Sequence, residues 1–239
     1  MALFTLRKKR LDDAGRSIKT GLVAPVASVE RYCPSDYSAG IFTRITFAGC
    51  PLSCRYCDAG VAAGRILEAD GVTPVKGIEL LSPHELAERF RKDGLYYQVS
   101  GGGLILSGGE PTAYSVFIAS LCRYFSPYWK IILHTSLHCH IEDITRLASV
   151  VTRWIIDLKD MNDAIYGKYT GQKSYNRHIL QHFVRAVRPR DPELKSVTVL
   201  LPLLPGYNSG DDVERSRREL QEMGFTDIRQ IKIEENRQS

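Results

Sequence analysis

The stretch Phe47-Ala48-Gly49-Cys50-Pro51-Leu52-Ser53-Cys54-Arg55-Tyr56-Cys57-Asp58 holds three cysteines, with three residues between the first pair and two between the second. One loop of that spacing can close three thiolates around a single inorganic centre and leave a fourth position for something else. A structural zinc ion takes four protein ligands, usually as two separated pairs, and would need a fourth such as His134, His138 or Cys139. A disulfide would leave one thiol over. Iron–sulfur clusters are held by closely spaced cysteine thiolates, and a 4Fe-4S cubane with three cysteines keeps one iron free for a small molecule. The loop therefore reads as a cluster loop, with zinc or buried structural cysteines as alternatives.

Cys50-x3-Cys54-x2-Cys57, with the aromatic Tyr56 before the last cysteine, resembles the cluster loop of the radical S-adenosylmethionine (SAM) superfamily. That resemblance implies that Cys50, Cys54 and Cys57 bind three irons of a 4Fe-4S cluster while the amino and carboxylate groups of SAM chelate the fourth. It also implies reductive cleavage of SAM to methionine and a 5′-deoxyadenosyl radical, which abstracts a hydrogen atom. The cofactors carry that chemistry, and the protein supplies orientation and exclusion of water, with no catalytic side chain expected beyond them.

The rest of the chain bounds the reading. Its 239 residues suit one sizeable α/β domain, and no Pro/Gly/Ser-rich linker divides it. A net charge of +5 and a pI near 8.9 are mildly basic, but the charge is scattered apart from Arg7-Lys8-Lys9-Arg10. That run reads as a solvated tail, so a nucleic-acid partner is not expected. Met1 to Leu6 is too short for a signal peptide, and no segment approaches the ~18 apolar residues that span a bilayer. A cytoplasmic protein without a membrane partner is the expectation. Six cysteines then argue for a reducing compartment in which Cys33, Cys122 and Cys139 are free thiols, Cys122 within the core.

Short β-branched runs alternate with longer amphipathic ones, the pattern of βα units around a parallel sheet. The strands expected are Phe42 to Phe47, Leu104 to Leu106, Lys130 to His134, Trp154 to Leu158, Val197 to Leu203 and Ile228 to Ile233. Helices are expected over Pro83 to Lys92, Ser115 to Phe125, Ile141 to Val150, Arg177 to Val187 and Asp211 to Met223. Ser82 with Glu85 marks one helix start, Asp211 and Asp212 load the first turn of the last helix, and Gly224 caps its end. Six such units fall short of an eight-fold barrel, which needs ~250 residues. The predicted fold is a partial (β/α)6 barrel over residues 41–239, preceded by an irregular extension over residues 1–40. The ligand site is expected at the carboxyl ends of the strands, where the cysteine loop follows the first of them.

The second expected strand runs into Ser107-Gly108-Gly109-Glu110-Pro111-Thr112. Paired glycines let the backbone approach a ligand closely, with exposed amides to bind its polar groups. In the superfamily a Gly-Gly-Glu-Pro segment holds the methionine amino group, so the resemblance implies that Gly108, Gly109 and Glu110 contact SAM. Ser100-Gly101-Gly102-Gly103, three apolar residues and Ser107-Gly108-Gly109-Glu110 together resemble the glycyl-radical-enzyme activating enzymes, of the pyruvate formate-lyase activating type. Asp157-Leu158-Lys159-Asp160-Met161-Asn162-Asp163 and Leu204-Pro205-Gly206-Tyr207-Asn208 agree with that resemblance, which extends from about Gly40 to the end of the chain. Asp157 and Lys159 stand two apart, so a regular strand turns both to the lumen. They read either as a mutually satisfied pair or, by the resemblance, as contacts to the SAM carboxylate, the aspartate helping to hold a monovalent cation.

The chain also departs from that pattern. His134-Thr135 replaces an aspartate–threonine pair, which weakens the cation site and leaves an imidazole to hydrogen-bond SAM or substrate. His134, His138, Cys139 and His140 together suggest a metal site, against a structural reading. Phe42 stands where activating enzymes carry a basic residue, and Asp58 resembles the 7-carboxy-7-deazaguanine synthases instead. The chain stops at Asn236-Arg237-Gln238-Ser239, without the family's closing helix and its SAM-contacting histidine, so a more open mouth is expected. The leading reading is an activase that takes hydrogen from a glycine of a large glycyl radical enzyme and is reduced by flavodoxin or ferredoxin. The alternatives are a small-molecule radical enzyme of the deazaguanine type and a non-enzymatic zinc or structural cysteine module.

Overall fold

The computed structural model describes residues 18, 20–57, 59–174 and 176–233. Eight strands lie among them: β1 (Ala24–Cys33), β2 (Phe42–Phe47), β3 (Glu79–Leu81), β4 (Gly103–Gly108), β5 (Lys130–Thr135), β6 (Arg153–Asp157), β7 (Val197–Leu203) and β8 (Asp227–Lys232). They form one sheet in the order β3-β1-β2-β4-β5-β6-β7-β8. From β2 onward every neighbouring pair is parallel, and each new strand joins beside the one before it. These are the six strands expected, and they make an unclosed, barrel-like wall whose far edge is β8. The helices are α1 (Pro83–Glu88), α2 (Gly94–Ser100), α3 (Ser115–Leu121), α4 (Ile141–Leu147), α5 (Asp163–Thr170), α6 (Asn176–Val187) and α7 (Gly210–Glu222).

Alternation along each strand divides the core. Leu104, Leu106, Ile131, Leu133, Trp154, Ile156, Val199 and Leu201 face the helical layer. Between them, Phe42, Ile105, Ile132, Ile155 and Leu200 turn inward and seal the lower lumen. Period-two side-chain direction produces both layers from one run of residues, which is why near-continuous apolar strands belong to a buried parallel sheet.

The N-terminal segment departs from expectation. Residues 1–40 were expected to be irregular, yet β1 lies within them, antiparallel to β2 and β3. Its alternation is broken by register shifts between Val26 and Ser28 and between Glu30 and Cys33, and by Tyr32 at φ 62°, so no clean period of two shows in the sequence. Asp93, 1% exposed, anchors the end of this strand by accepting from Arg31 at 2.5 and 2.6 Å and from the Tyr32 hydroxyl at 2.7 Å. The basic run Arg7-Lys8-Lys9-Arg10 lies outside the described residues.

Helix starts follow their caps. Ser82 and Glu85 form a capping box at α1, and Ser209 with Asp212 form another at α7, one residue ahead of the expected start. Gly224 follows α7 at φ 97°, the left-handed geometry expected of a glycine past a helix end. The α1, α3 and α4 α-helices end three or four residues before their expected ends, α1 and α3 passing into short 3-10 turns. Two helices were not expected. Asn162 caps α5 by accepting from the Ala164 and Ile165 amides, and α2 starts at a glycine and carries Tyr and Val that favour strands.

Candidate functional site

The cysteine loop leaves the top of β2 and is held on three sides by backbone. Gly49 donates to the Ala62 carbonyl at 2.6 Å, and Ser53 donates to the Thr170 carbonyl at 2.8 Å. Gln172 Nε2 reaches the Pro51 carbonyl at 2.8 Å. Tyr56 donates to the Pro205 carbonyl at 3.3 Å, and its ring meets Tyr169 and Tyr207 at 6.4 and 6.3 Å, with those two 5.1 Å apart. Three tyrosines thus fasten the loop to α5 and to the turn after β7. Cys50 and Cys54 are half-buried and Cys57 is exposed. All three line one cavity of about 730 Å³ together with Gly108, Gly109, His134, Asp157 and Lys159. Burial pushes the Cys50 thiol up and the Cys54 thiol up to about 12. A thiolate ligand set must therefore expel protons as it binds metal.

Gly108 and Gly109 serve the loop as well as the cavity. A Cβ on Gly108 would stand 2.1 Å from the Phe47 carbonyl oxygen, and one on Gly109 would stand 2.2 Å from that of Gly49. Gly109 donates to Phe47 at 3.0 Å and Glu110 donates to Gly49 at 2.9 Å, so the two loops are laced edge to edge. Only residues without a side chain allow that approach, and it fixes the cysteines relative to the end of β4.

Glu110 differs from its expected place. Its residue is fully buried and its carboxylate points away from the cavity. One oxygen accepts from the Thr112 amide and hydroxyl at 3.1 and 2.6 Å and from the Thr135 hydroxyl at 2.5 Å. The other accepts from the Ser136 amide at 2.8 Å and hydroxyl at 2.5 Å. A buried carboxylate is tolerable when such donors surround it. The side chain is a positioning group that ties the Gly-Gly turn to the end of β5. That Thr112, Thr135 and Ser136 would hold Glu110 was not foreseen in the sequence, although hydroxyls clustered at two neighbouring strand ends were the available signal.

Asp157 and Lys159 meet as their spacing predicted, Nζ to Oδ2 at 2.5 Å. Burial pushes the Asp157 carboxyl up, but Lys159 and then His134 outweigh it and hold the group below its ordinary range. Burial likewise opposes charge on Lys159, and Asp157 with Cys54 reverses this and raises it. Asp157 Oδ1 is buried without a hydrogen-bond partner. A carboxylate oxygen facing a cavity in that state is an acceptor waiting for a ligand.

The remaining candidates separate. His138 Nδ1 lies 2.8 Å from the Tyr166 hydroxyl, His140 stands at the start of α4, and Cys139 is packed against the core, where burial raises its thiol. The group His134, His138, Cys139 and His140 therefore does not assemble, and among the described residues no three His, Cys, Asp or Glu converge on a single metal ion. Cys122 packs on the core as expected. Phe42 belongs to the lower plug, and Asp58 and residues 234–239 lie outside the described residues. Asp160 and Asn208 emerge as a further structural link. Asn208 Nδ2 donates to Asp160 at 3.1 Å and its Oδ1 accepts from the Leu204 amide at 2.6 Å, joining the turns after β6 and β7.

A family model described as the radical SAM superfamily matches residues 45–220. The chain belongs to the radical SAM superfamily. The (2S)-3-sulfopropanediol dehydratase activating enzyme of Klebsiella oxytoca is 33% identical over 131 residues, covering 54% of this chain and 39% of that enzyme. The isethionate sulfite-lyase activating enzyme of Nitratidesulfovibrio vulgaris is 24% identical over 239 residues, covering 77% and 75%. The first match thus spans less than half of its relative. SuiB of Streptococcus suis, solved with S-adenosylmethionine, shares the fold at a TM-score of 0.55 and 13% identity, over 79% of this chain and 39% of that one. The resemblance to activating enzymes is borne out by these matches.

Radical SAM membership brings a 4Fe-4S cluster and SAM with it. The residues present fit those groups. A cubane offers each thiolate its own iron, so its ligands stand farther apart than those around one ion, consistent with three thiols lining a shared cavity. The unpartnered Asp157 Oδ1 and the close backbone of Gly108-Gly109 face the same space. No described helix is long and apolar enough to cross a membrane.

Proposed function

We propose that this radical SAM protein is an activating enzyme that removes a hydrogen atom from a glycine Cα of a partner glycyl radical enzyme. The observation that carries the reading is one cavity lined by Cys50, Cys54, Cys57, Gly108, Gly109, His134, Asp157 and Lys159, in a chain whose relatives are activating enzymes. When bound, the cluster and SAM supply one-electron cleavage to methionine and a 5′-deoxyadenosyl radical. The three cysteines hold the cluster. The Gly108-Gly109 backbone, Lys159 and His134 bind the amino-acid end of SAM, and the buried Oδ1 of Asp157 takes the remaining donor or a monovalent cation. Phe42, Ile105, Ile132, Ile155 and Leu200 close the lumen below and keep water from reaching the radical from that side. A flavodoxin or ferredoxin of the cytoplasm supplies the electron. Incubating the anaerobic, reduced protein with SAM and candidate glycyl radical enzymes tests the proposal. Partner-dependent 5′-deoxyadenosine and a stable glycyl signal in electron paramagnetic resonance are expected, and absence of both with every candidate overturns it.

A further inference from the structure

One wall of the cofactor cavity carries polar side chains that have almost nothing in the protein to bind. Arg44 and Thr46 lie two apart on β2, and Ser107 lies on β4 in register with Thr46. All three line the cavity. Among the described residues none of these side chains makes a hydrogen bond, and their only ion pair is Arg44 to Glu30 at 3.7 Å, with side chains 41% and 55% exposed. A pair so long and so exposed holds little. The guanidinium donors and both hydroxyls are therefore left for a ligand.

This wall is separate from the groups that bind the amino-acid end of SAM. His134 is on β5 and Asp157 on β6, two and three strands away from β2 in the sheet. Below the wall lies the apolar floor, where Ile105 is the register partner of Arg44. The rim beside it is mixed in charge, with exposed Glu30 and Asp36 offsetting exposed Arg55 and Lys232. A rim so balanced does not select a ligand by net charge, and selection falls to hydrogen bonds.

We infer that Arg44, Thr46 and Ser107 hold the main chain of an extended polypeptide segment, with Arg44 donating to one of its carbonyl oxygens. The inference rests on the proposed removal of hydrogen from a glycine of a partner protein, and it names how the segment bearing that glycine is held. A strand rises about 3.3 Å per residue, so Arg44 and Thr46 are spaced by about 6.6 Å. An extended peptide repeats its same-side carbonyls at the same two-residue interval. A segment lying along β2 thus meets both side chains in turn, whatever its own side chains are. The positive charge of Arg44 strengthens a bond to a carbonyl, and the two hydroxyls can donate to a carbonyl or accept from an amide.

The probe is a fluorescein-labelled, amide-capped alanine peptide with one central glycine, titrated by anisotropy into the cluster-loaded protein with SAM under argon. Arg44→Met should weaken its binding about tenfold or more while SAM affinity, measured by equilibrium dialysis, is unchanged. Thr46→Val, a variant of nearly the same shape, should weaken it less. Glutamate or lysine in place of the flanking alanines should leave the affinity nearly unchanged. Absence of binding to the unaltered protein, or equal binding to Arg44→Met, overturns the inference. It is also overturned if a glutamate peptide binds far more tightly than the alanine one only when Arg44 is present, because Arg44 then reads a side-chain carboxylate. If the peptide binds through Arg44 while no glycyl radical enzyme gains a radical, the activating-enzyme reading fails and the wall remains a peptide site.

Discussion

The two ends of the lumen are built from the same strands and have opposite chemistry. At the lower end Ile132 and Ile155 belong to an apolar plug that forms the floor of the cavity, and two residues further along the same strands His134 and Asp157 line its polar upper wall. Alternation assigns all four to the lumen, and height along the strand decides whether the cavity meets an apolar or a polar side chain. The lower end is apolar and packs together as one cluster. The upper end keeps a buried acceptor without a partner and a charged pair, groups that weaken a fold unless something binds them. Stability and function are thus separated by about two residues of strand, and substitutions at the two levels should fail in different ways.

The largest expected effect is at the upper end. Replacing any of Cys50, Cys54 or Cys57 by Ala should abolish the cluster, read as loss of bound iron and of the brown chromophore after anaerobic preparation. Replacing Cys122 should leave iron at its normal level, and an iron content that depends on Cys122 would break the comparison.

At the lower end, Ile155→Ala should cost about 3 kcal/mol of unfolding free energy through the cavity it leaves, while iron content after loading stays normal. Denaturant unfolding with an iron assay on the same sample checks both halves. Loss of iron without loss of stability would contradict the separation.

Asp157→Asn should sit between these two. It leaves the Lys159 ammonium, 14% exposed, without its counter-charge, at a cost of about 2 kcal/mol. SAM affinity, measured by equilibrium dialysis, should fall at least tenfold while iron is retained. The pair also has a pH signature. Asp157 has a lowered folded pKa, so its contribution is present above the ordinary carboxylate range and is lost as pH falls through the lowered value. Lys159 has a raised one, so its contribution is full below the ordinary lysine value and fades only as pH rises through the raised value. In Asp157→Asn the acid limb of that profile should flatten.

The smallest effect concerns loading. The Cys54 thiol, pushed up to about 12 by burial, must lose its proton to bind iron. Cluster assembly on the metal-free protein should therefore strengthen as pH rises from 7 to 9, followed as absorbance against added iron and sulfide.

Much of this arrangement was legible in the sequence. Six parallel strands followed from β-branched runs, and the meeting of Asp157 with Lys159 followed from their spacing of two. The cysteine loop and the Gly108-Gly109 turn fell side by side because both leave the ends of neighbouring strands. What stayed hidden depended on contacts across the chain. Nothing local says that the glycines face the Phe47 and Gly49 carbonyls, or that Glu110 turns inward to Thr135 and Ser136. Strand β1 was hidden because its bulges and the left-handed Tyr32 erase the period that would reveal it.

The central claim is that the thiols of Cys50, Cys54 and Cys57 and the Asp157–Lys159 pair serve one cofactor assembly in one cavity. Electron–nuclear double resonance of the reduced protein with SAM carrying a 17O carboxylate and a 15N amino group tests it most directly. Strong coupling of both nuclei to the cluster spin, weakened in Asp157→Asn, is the predicted result. A cluster spin that shows no coupling to either nucleus at saturating SAM would contradict the account.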